Sequence, residues 1–202
     1  VLGVSLPIVT QIFGKGAKIE QINERLTPTE RKNLGTKGKE VAQYIVATKA
    51  KNYLDRTADY DLVFRTPGFP RLHPKLLEAE KKGAEISSHT KLFFDLCPAK
   101  IIGVTGTKGK TTTASLAYKI LKRKFGKKVF LAGNIGKPAL DILSKLDEKS
   151  LVVLELSSFK LQDLDRSHHV AVITNITLDH LDPSGKFGPA SHQTANEYFN
   201  AK

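Results

Sequence analysis

The sequence predicts an α/β protein made of two domains, each organised on a parallel sheet. Three observations predict it. Short apolar stretches alternate with segments whose apolar residues recur at helical spacing, which is the pattern of strands joined by crossover helices. Leu151-Val-Val-Leu-Glu-Leu156 is almost continuously apolar, as a strand buried on both faces must be. Ile101-Ile-Gly-Val-Thr-Gly-Thr-Lys-Gly-Lys-Thr-Thr-Thr113 passes from an apolar run through a glycine-rich turn into a helical pattern, the arrangement that cradles phosphate.

That last stretch organises the chain. Ile101, Ile102 and Val104 end a strand; Leu116, Ile120 and Leu121 then fall on one side of a helix. Glycines between them let backbone N–H groups approach phosphate oxygens, and the helix N-terminus adds its positive end. Lys110 reaches toward β- and γ-phosphates, and the Thr111 hydroxyl suits a magnesium ion. Val104 stands where the usual phosphate loop has glycine.

Composition narrows the function classes. The 202 residues suffice for one large or two small domains, and 40% hydrophobic content supports a packed core. No apolar run reaches membrane-spanning length and no signal peptide is visible, so no membrane insertion is expected. The single cysteine, Cys97, excludes an internal disulfide framework and suits a cytoplasmic location; it reads as a small buried hydrophobe. The net charge of +12 favours anionic partners. Its densest run, Lys122 to Lys128, closes the helix after the phosphate loop, where cations complement the helix dipole. Aromatic residues are not interleaved with the basic ones, so no nucleic acid is expected as partner. The chain opens on Val1 and contains no methionine, and is expected to be a fragment of a longer protein.

In the first domain, residues 1–97, Val1 to Ser5 reads as a strand tail and turn, Ile8, Val9, Ile12 and Phe13 as a helical face, and Lys18 to Ile22 as a second strand. Residues 27–39 read as a loop and Glu40 to Ala50 as a helix. Asp61 to Phe64 is a strand stopped by Thr66-Pro-Gly-Phe-Pro70; Pro74 to Lys82 is a helix with proline in its first turn and Gly83 after its end. Glu85 to Ser87 and Lys91 to Leu96 read as a further strand and a short helix.

In the second domain, residues 98–202, strands are expected over Lys128 to Ala132, Leu151 to Leu156 and Val170 to Ile176, with a helix carrying Leu140, Ile142, Leu143 and Leu146. Asn134 follows one strand, Glu155 ends another, Asp179 and His180 follow a third, and the phosphate loop follows a fourth. All four groups therefore sit at the carboxyl edge of one parallel sheet, where open α/β sheets bind ligands. A carboxylate ending a buried strand is costly without a cation, which magnesium–triphosphate beside Glu155 would answer; a helix-capping carboxylate is the alternative. His168 and His169 read as surface or turn histidines, since neighbours on a strand face opposite ways. Pro183 to Asn196 reads as a long loop.

Thr105-Gly-Thr-Lys-Gly-Lys-Thr111 resembles the phosphate loop of the Mur ligase family, which also includes folylpolyglutamate synthetases. Asp61 to Pro70, His73-Pro74, Lys91 to Pro98, Gly133-Asn-Ile-Gly136, Leu154-Glu-Leu-Ser-Ser-Phe159, Thr174 to Thr177 and Asp179-His-Leu-Asp182 resemble that family too, in order and over about half the chain. They favour its D-glutamate-adding branch. The resemblance implies a Rossmann-like domain over residues 1–97 for the UDP end of the substrate. It implies an ATP-binding, phosphate-loop domain over 98–202, incomplete, with a third, C-terminal domain absent. It implies an ATP- and Mg²⁺-dependent ligase that joins D-glutamate to UDP-N-acetylmuramoyl-L-alanine through an acyl phosphate, as a monomer, in cytoplasmic peptidoglycan-precursor synthesis.

Carried over by residue, Gly106, Thr107, Lys108, Gly109, Lys110, Thr111 and Thr112 wrap the ATP phosphates. Thr111 and Glu155 hold one Mg²⁺ and His180 a second, with Lys202 as a carbamylated ligand inside Tyr198-Phe-Asn-Ala-Lys202; Lys110, Glu155, His180 and Lys202 are thus the catalytic set. Asn134 and Ser157 contact the muramoyl-alanine end, and Thr66 contacts substrate or serves only its turn. Lys160 stands where the family has glutamine. Rival readings are a folylpolyglutamate synthetase-like ligase, a phosphate-loop nucleic-acid ATPase, and a fragment that binds ligand without turnover.

Overall fold

In the computed structural model, residues 54–55, 57–179, 181, 192 and 194–202 are described. The expected strands and helices before residue 54 lie outside the described residues, as does His180. By its internal contacts the chain divides into two compact units, Val1–Val63 with Pro74–Glu85 and Phe64–His73 with Ile86–Lys202.

Within the first unit, a 3-10 turn, Thr57–Asp59, lies against helix α1, Pro74–Lys81. Leu76 and Ala79 are the buried side chains of α1. Proline tolerates the first helical turn because its missing N–H has no partner to lose there. Gly83, at φ 101°, ends the helix as expected, since only glycine takes that backbone without strain. Strands β1, Leu62–Arg65, and β2, Glu85–Ser88, form a two-stranded sheet whose residues the division shares between the two units.

The second unit holds the site. Ser88 caps helix α2, His89–Leu96, its hydroxyl accepting from Lys91 N at 3.2 Å, so this helix begins two residues before its expected start. Strand β3, Lys100–Thr105, leads through the phosphate loop into helix α3, Lys110–Phe125. Strands β4, Val129–Gly133, β5, Leu151–Glu155, and β6, Val170–Ile173, complete a four-stranded sheet in the order β4-β5-β3-β6. The pairs β3–β5, β3–β6 and β4–β5 are all parallel, as expected. Between them lie two one-turn helices, α4, Ala139–Ile142, and α5, Ser158–Leu161, and the described chain ends with helix α6, Ala195–Asn200.

Val104, Ala114 and Val153 form the centre of the core under α3, with Ile102, Leu121 and Val172 packed around it. Val104 pairs with Glu155 and Ile102 with Val153. Because side chains alternate along a strand, Glu155 stands on the face of the sheet that α3 covers. Gly103 leaves a slot on β3 that the His168 ring fills: a Cβ there would lie 2.0 Å from the ring.

Three expectations are corrected. The helix after β4 covers only Ala139–Ile142 and continues as a 3-10 turn over Leu143–Lys145. Strand β6 stops at Ile173, three residues early, because Thr174 and Asn175 turn to bind the phosphate loop. The loop expected up to Asn196 gives way at Ala195 to α6. Thr194 caps that helix by accepting from Glu197 N at 3.1 Å, the first half of a capping box.

Candidate functional site

The phosphate loop hangs between β3 and α3 with two glycines in left-handed or extended-positive backbone. Gly106 has φ 139° and Gly109 has φ 81°. At Gly106 a Cβ would fall 2.0 Å from Thr174 Oγ1, so nothing larger than glycine fits between the loop and its neighbour. Gly109 is the N-cap of α3 and offers no side-chain cap. The first N–H groups of α3 thus have neither an intrahelical acceptor nor a capping side chain, the condition under which a helix end takes an anion. Thr111 and Thr112 are exposed on that first turn.

A strap after β6 holds the loop. Asn175 O accepts from Thr107 N at 2.9 Å, Asn175 Oδ1 from Lys108 N at 3.0 Å, and Lys108 O accepts from Asn175 Nδ2 at 3.1 Å. Thr174 Oγ1 donates to Lys108 O at 2.6 Å. Thr107 is buried, and its hydroxyl donates to Thr177 O at 2.8 Å and accepts from Thr177 N at 3.0 Å. These bonds hold the loop's shape. Lys110 Nζ lies across the loop, donating to Gly106 O at 3.0 Å and Thr107 O at 2.8 Å, so its ammonium sits over the turn that the glycines open.

The sheet's carboxyl edge carries the other expected groups. Glu155, 3% exposed, ends β5, and its Oε2 is buried without a hydrogen-bond partner among the described residues. An ionised carboxylate with an unbonded buried oxygen fits a hard cation, which takes oxygen ligands. Asn134, exposed, follows β4 and its N–H donates to Glu155 O at 3.0 Å. Gly133 before it, at φ 108°, lies so close to β5 that a Cβ would meet Glu155 O at 2.2 Å. Ser157, half-buried, is the N-cap of α5, and its hydroxyl is not used in capping. Burial lowers the affinity of Lys160 for its proton, while the nearby Glu155 carboxylate opposes that shift. Thr66 begins the turn that Phe69 N closes on Thr66 O at 2.9 Å. No cluster of three His, Cys, Asp or Glu ligands forms among the described residues, from which His180 is missing.

Lys202 reaches the loop from α6. Its Nζ donates to Gly106 O at 2.7 Å, the carbonyl that Lys110 also contacts. Burial first, then the positive Lys110, push the Lys202 amine down to about 8; Asp179 pulls the other way. Tyr198, buried in the same helix, shares a 2.5 Å hydrogen bond with Thr107 Oγ1. The structure thus brings Lys202, Lys110 and the loop together across a sequence separation that carries no local signal.

Several residues here went unread in the sequence. His192, fully buried, bonds Ser158 Oγ through Nε2 at 2.8 Å and stacks on Phe159 at 4.6 Å; its Nδ1 lies 3.5 Å from Glu197 Oε1. Thr194-x-x-Glu197 was the available signal for the helix that carries Glu197. Arg65 and Asp163 form an ion pair with both side chains 0% exposed. His168 and His169, expected as surface or turn residues, lie outside any helix or strand before β6: His169 is exposed, whereas His168 is half-buried, edge-on to Phe94 at 5.0 Å, with Nε2 unbonded among the described residues. Its neighbour His169 accepts from Ile101 N at 3.1 Å through Nδ1. The two precede β6, so strand alternation does not govern them.

A parallel sheet whose carboxyl edge carries a glycine-rich loop, an uncapped helix end and a buried acid defines a phosphate-loop α/β domain. Residues 104–202 match the Mur ligase middle domain. The whole chain is similar to three UDP-N-acetylmuramoylalanine–D-glutamate ligases. It is 39% identical to that of Symbiobacterium thermophilum over 203 residues, 100% of this chain and 42% of the relative. It is 38% identical to that of Acetivibrio thermocellus over 205 residues, 100% of this chain and 41% of the relative. It is 36% identical to that of Clostridium botulinum strain Okra over 203 residues, 100% of this chain and 42% of the relative. The chain therefore spans about 42% of the length of these relatives. No helix among the described residues is long and apolar enough to cross a membrane.

Proposed function

We propose that this chain provides the ATP- and nucleotide-sugar-binding part of a ligase that joins D-glutamate to UDP-N-acetylmuramoyl-L-alanine. The reading places it as a monomer in the cytoplasm, in peptidoglycan-precursor synthesis, with residues 1–97 holding the UDP end and 98–202 the ATP. The observation that carries it is the buried Glu155 oxygen, unbonded among the described residues, at the sheet edge that bears the phosphate loop, in a chain similar over its whole length to D-glutamate ligases.

When bound, ATP supplies the phosphoryl group that activates the substrate carboxylate as an acyl phosphate for attack by the amine of D-glutamate, and Mg²⁺ offsets the phosphate charge. The chain's own residues bind and orient. Lys110 leaves the carbonyls of Gly106 and Thr107 to meet phosphate oxygens, exchanging two neutral acceptors for charged ones. The free N–H groups at the start of α3 face the same charge. Glu155 and Thr111 would hold the first Mg²⁺, and His180 with Lys202 the second. Lys202 stands within reach of the loop, and its depressed basicity favours the neutral amine that carbamylation requires. Asn134, Ser157 and Thr66 would contact the muramoyl-alanine substrate.

Calorimetric titration tests the nucleotide site. Lys110→Ala should lose ATP binding while keeping the fold, because Gly106 O keeps its hydrogen bond from Lys202 and the change leaves no buried charge behind. Unchanged affinity in a folded variant would exclude the phosphate-loop assignment. For the reaction, the product of the complete gene is incubated with ATP, Mg²⁺, UDP-N-acetylmuramoyl-L-alanine and D- or L-glutamate, and the products are read by mass spectrometry. Equal products from both glutamates, or turnover on a folate instead, would point to the folylpolyglutamate branch.

A further inference from the structure

We infer that Arg65 is a positioning residue for the nucleotide-sugar, locking the turn that carries Thr66 and the helix that starts at Ser157 into one unit. The inference rests on the proposed function, in which those two residues contact that substrate.

The guanidinium is fully committed. Nε donates to Asp163 Oδ1 at 3.0 Å and Nη2 to Asp163 Oδ2 at 2.7 Å, a two-pronged pair between residues 98 apart in sequence. Nη2 also donates to Phe159 O at 2.9 Å, in α5. Nη1 donates to Phe69 O and lies 3.5 Å from Pro67 O, both in the turn that begins at Thr66. Arg71 Nε stands 3.5 Å from Asp163 Oδ1, so the acid is held from two sides of that turn.

Both side chains of the central pair are 0% exposed, and the guanidinium N–H groups already face acceptors. Arg65 therefore has nothing to offer a phosphate directly. What it does is span: one planar fork reaches a carboxylate and a carbonyl on the α5 side and the carbonyls of the turn on the other. Lysine would keep the charge but lacks the fork that reaches all of them at once. Thr66 is the residue next to Arg65, and Ser157 is the N-cap of the helix whose Phe159 carbonyl the guanidinium holds. Loss of the fork frees the two substrate-facing groups to move independently, and nothing in it touches the phosphate loop.

The test is steady-state kinetics of the complete gene product, with KM measured separately for UDP-N-acetylmuramoyl-L-alanine and for ATP, on wild type, Arg65→Lys and the double variant Arg65→Met/Asp163→Leu. The double variant removes both buried charges together and keeps an apolar fill, so it tests positioning without leaving an unpaired ion. Both variants are expected to raise KM for the nucleotide-sugar at least about tenfold while KM for ATP stays within about twofold. Equal changes in both constants, or an unchanged nucleotide-sugar KM in a folded variant, would overturn the inference. So would failure of both variants to fold, which would assign the pair to stability alone. A wild type that turns over only with the nucleotide-sugar, beside variants without the split, sinks this inference and spares the proposed function. A wild type indifferent to the nucleotide-sugar removes both.

Discussion

Two buried acids in the same unit are treated in opposite ways. Asp163 is closed on all sides: both its oxygens accept from Arg65, and Arg71 stands beside it. Glu155, no less buried, keeps one oxygen without a hydrogen-bond partner among the described residues. A buried charge must be compensated, by a fixed partner or by a ligand. Compensation inside the chain makes a clamp, while compensation left open makes a site. The difference is also one of place. Asp163 follows a one-turn helix, whereas Glu155 ends a central strand at the carboxyl edge, paired in register with Val104 two residues before Gly106.

The contrast can be broken most forcefully at the clamp. Arg65→Met alone leaves the buried Asp163 with only Arg71, at 3.5 Å, in place of its two-pronged partner and should cost about 3–5 kcal/mol. The double Arg65→Met/Asp163→Leu should recover most of that loss. Urea unfolding of the two variants checks this, and a single variant that loses under about 1 kcal/mol would show the pair to be solvated after all.

At the open acid the expected signature is reversed. Glu155→Gln in metal-free buffer should change stability by less than about 1 kcal/mol, since Oε2 has no hydrogen bond to lose among the described residues and only the charge interaction with Lys160 is removed. With Mg²⁺ and ATP at about a hundred times the dissociation constant, wild type should gain about 2.7 kcal/mol and the variant almost nothing. Thermal unfolding with and without the ligands reads both. If Glu155→Gln destabilises the free chain as much as Arg65→Met does, the acid has an internal role and the comparison fails.

The smallest effect belongs to the imidazoles that are half-buried and kept neutral. Burial first, then His169, lowers the His168 pKa below 6.5; burial first, then Lys160, does the same at His89. A histidine depressed in the folded state binds its proton more readily when unfolded. Stability is therefore full above pH 6.5, the ordinary value, and falls as pH drops through it toward the folded value. Unfolding midpoints at mildly acidic and neutral pH, for wild type and His168→Gln, measure this. The variant should show a shallower acid loss, and an identical pH profile would mean that His168 is solvated.

Legibility followed sequence distance. Strand, loop and helix from Lys100 to Phe125 were readable because glycine spacing, apolar periodicity and helix-end chemistry act within a few residues. The carboxyl-edge placement of Asn134 and Glu155 was also readable, since a parallel sheet puts every strand end on one side. Strand β6 was overextended by the same reading. Val170 to Ile176 has the composition of a strand, but Thr174 and Asn175 have better acceptors and donors in the phosphate loop than a ladder could give them.

What the sequence by itself determined is the chemistry available: a glycine-rich turn closed by Lys110 and Thr111, acids and amides at strand ends, and basic residues at a helix terminus. What only the tertiary structure decided is which of those groups are already satisfied. Lys202 meets the carbonyl of Gly106 from 96 residues away, Arg65 meets Asp163 from 98, and His168 fills the slot that Gly103 leaves. Pairings of that range depend on how sheet and helices pack, which no local pattern encodes. The oxygen of Glu155 left without a partner among the described residues is a property of the folded packing alone, because a single side chain holds no record of what will surround it.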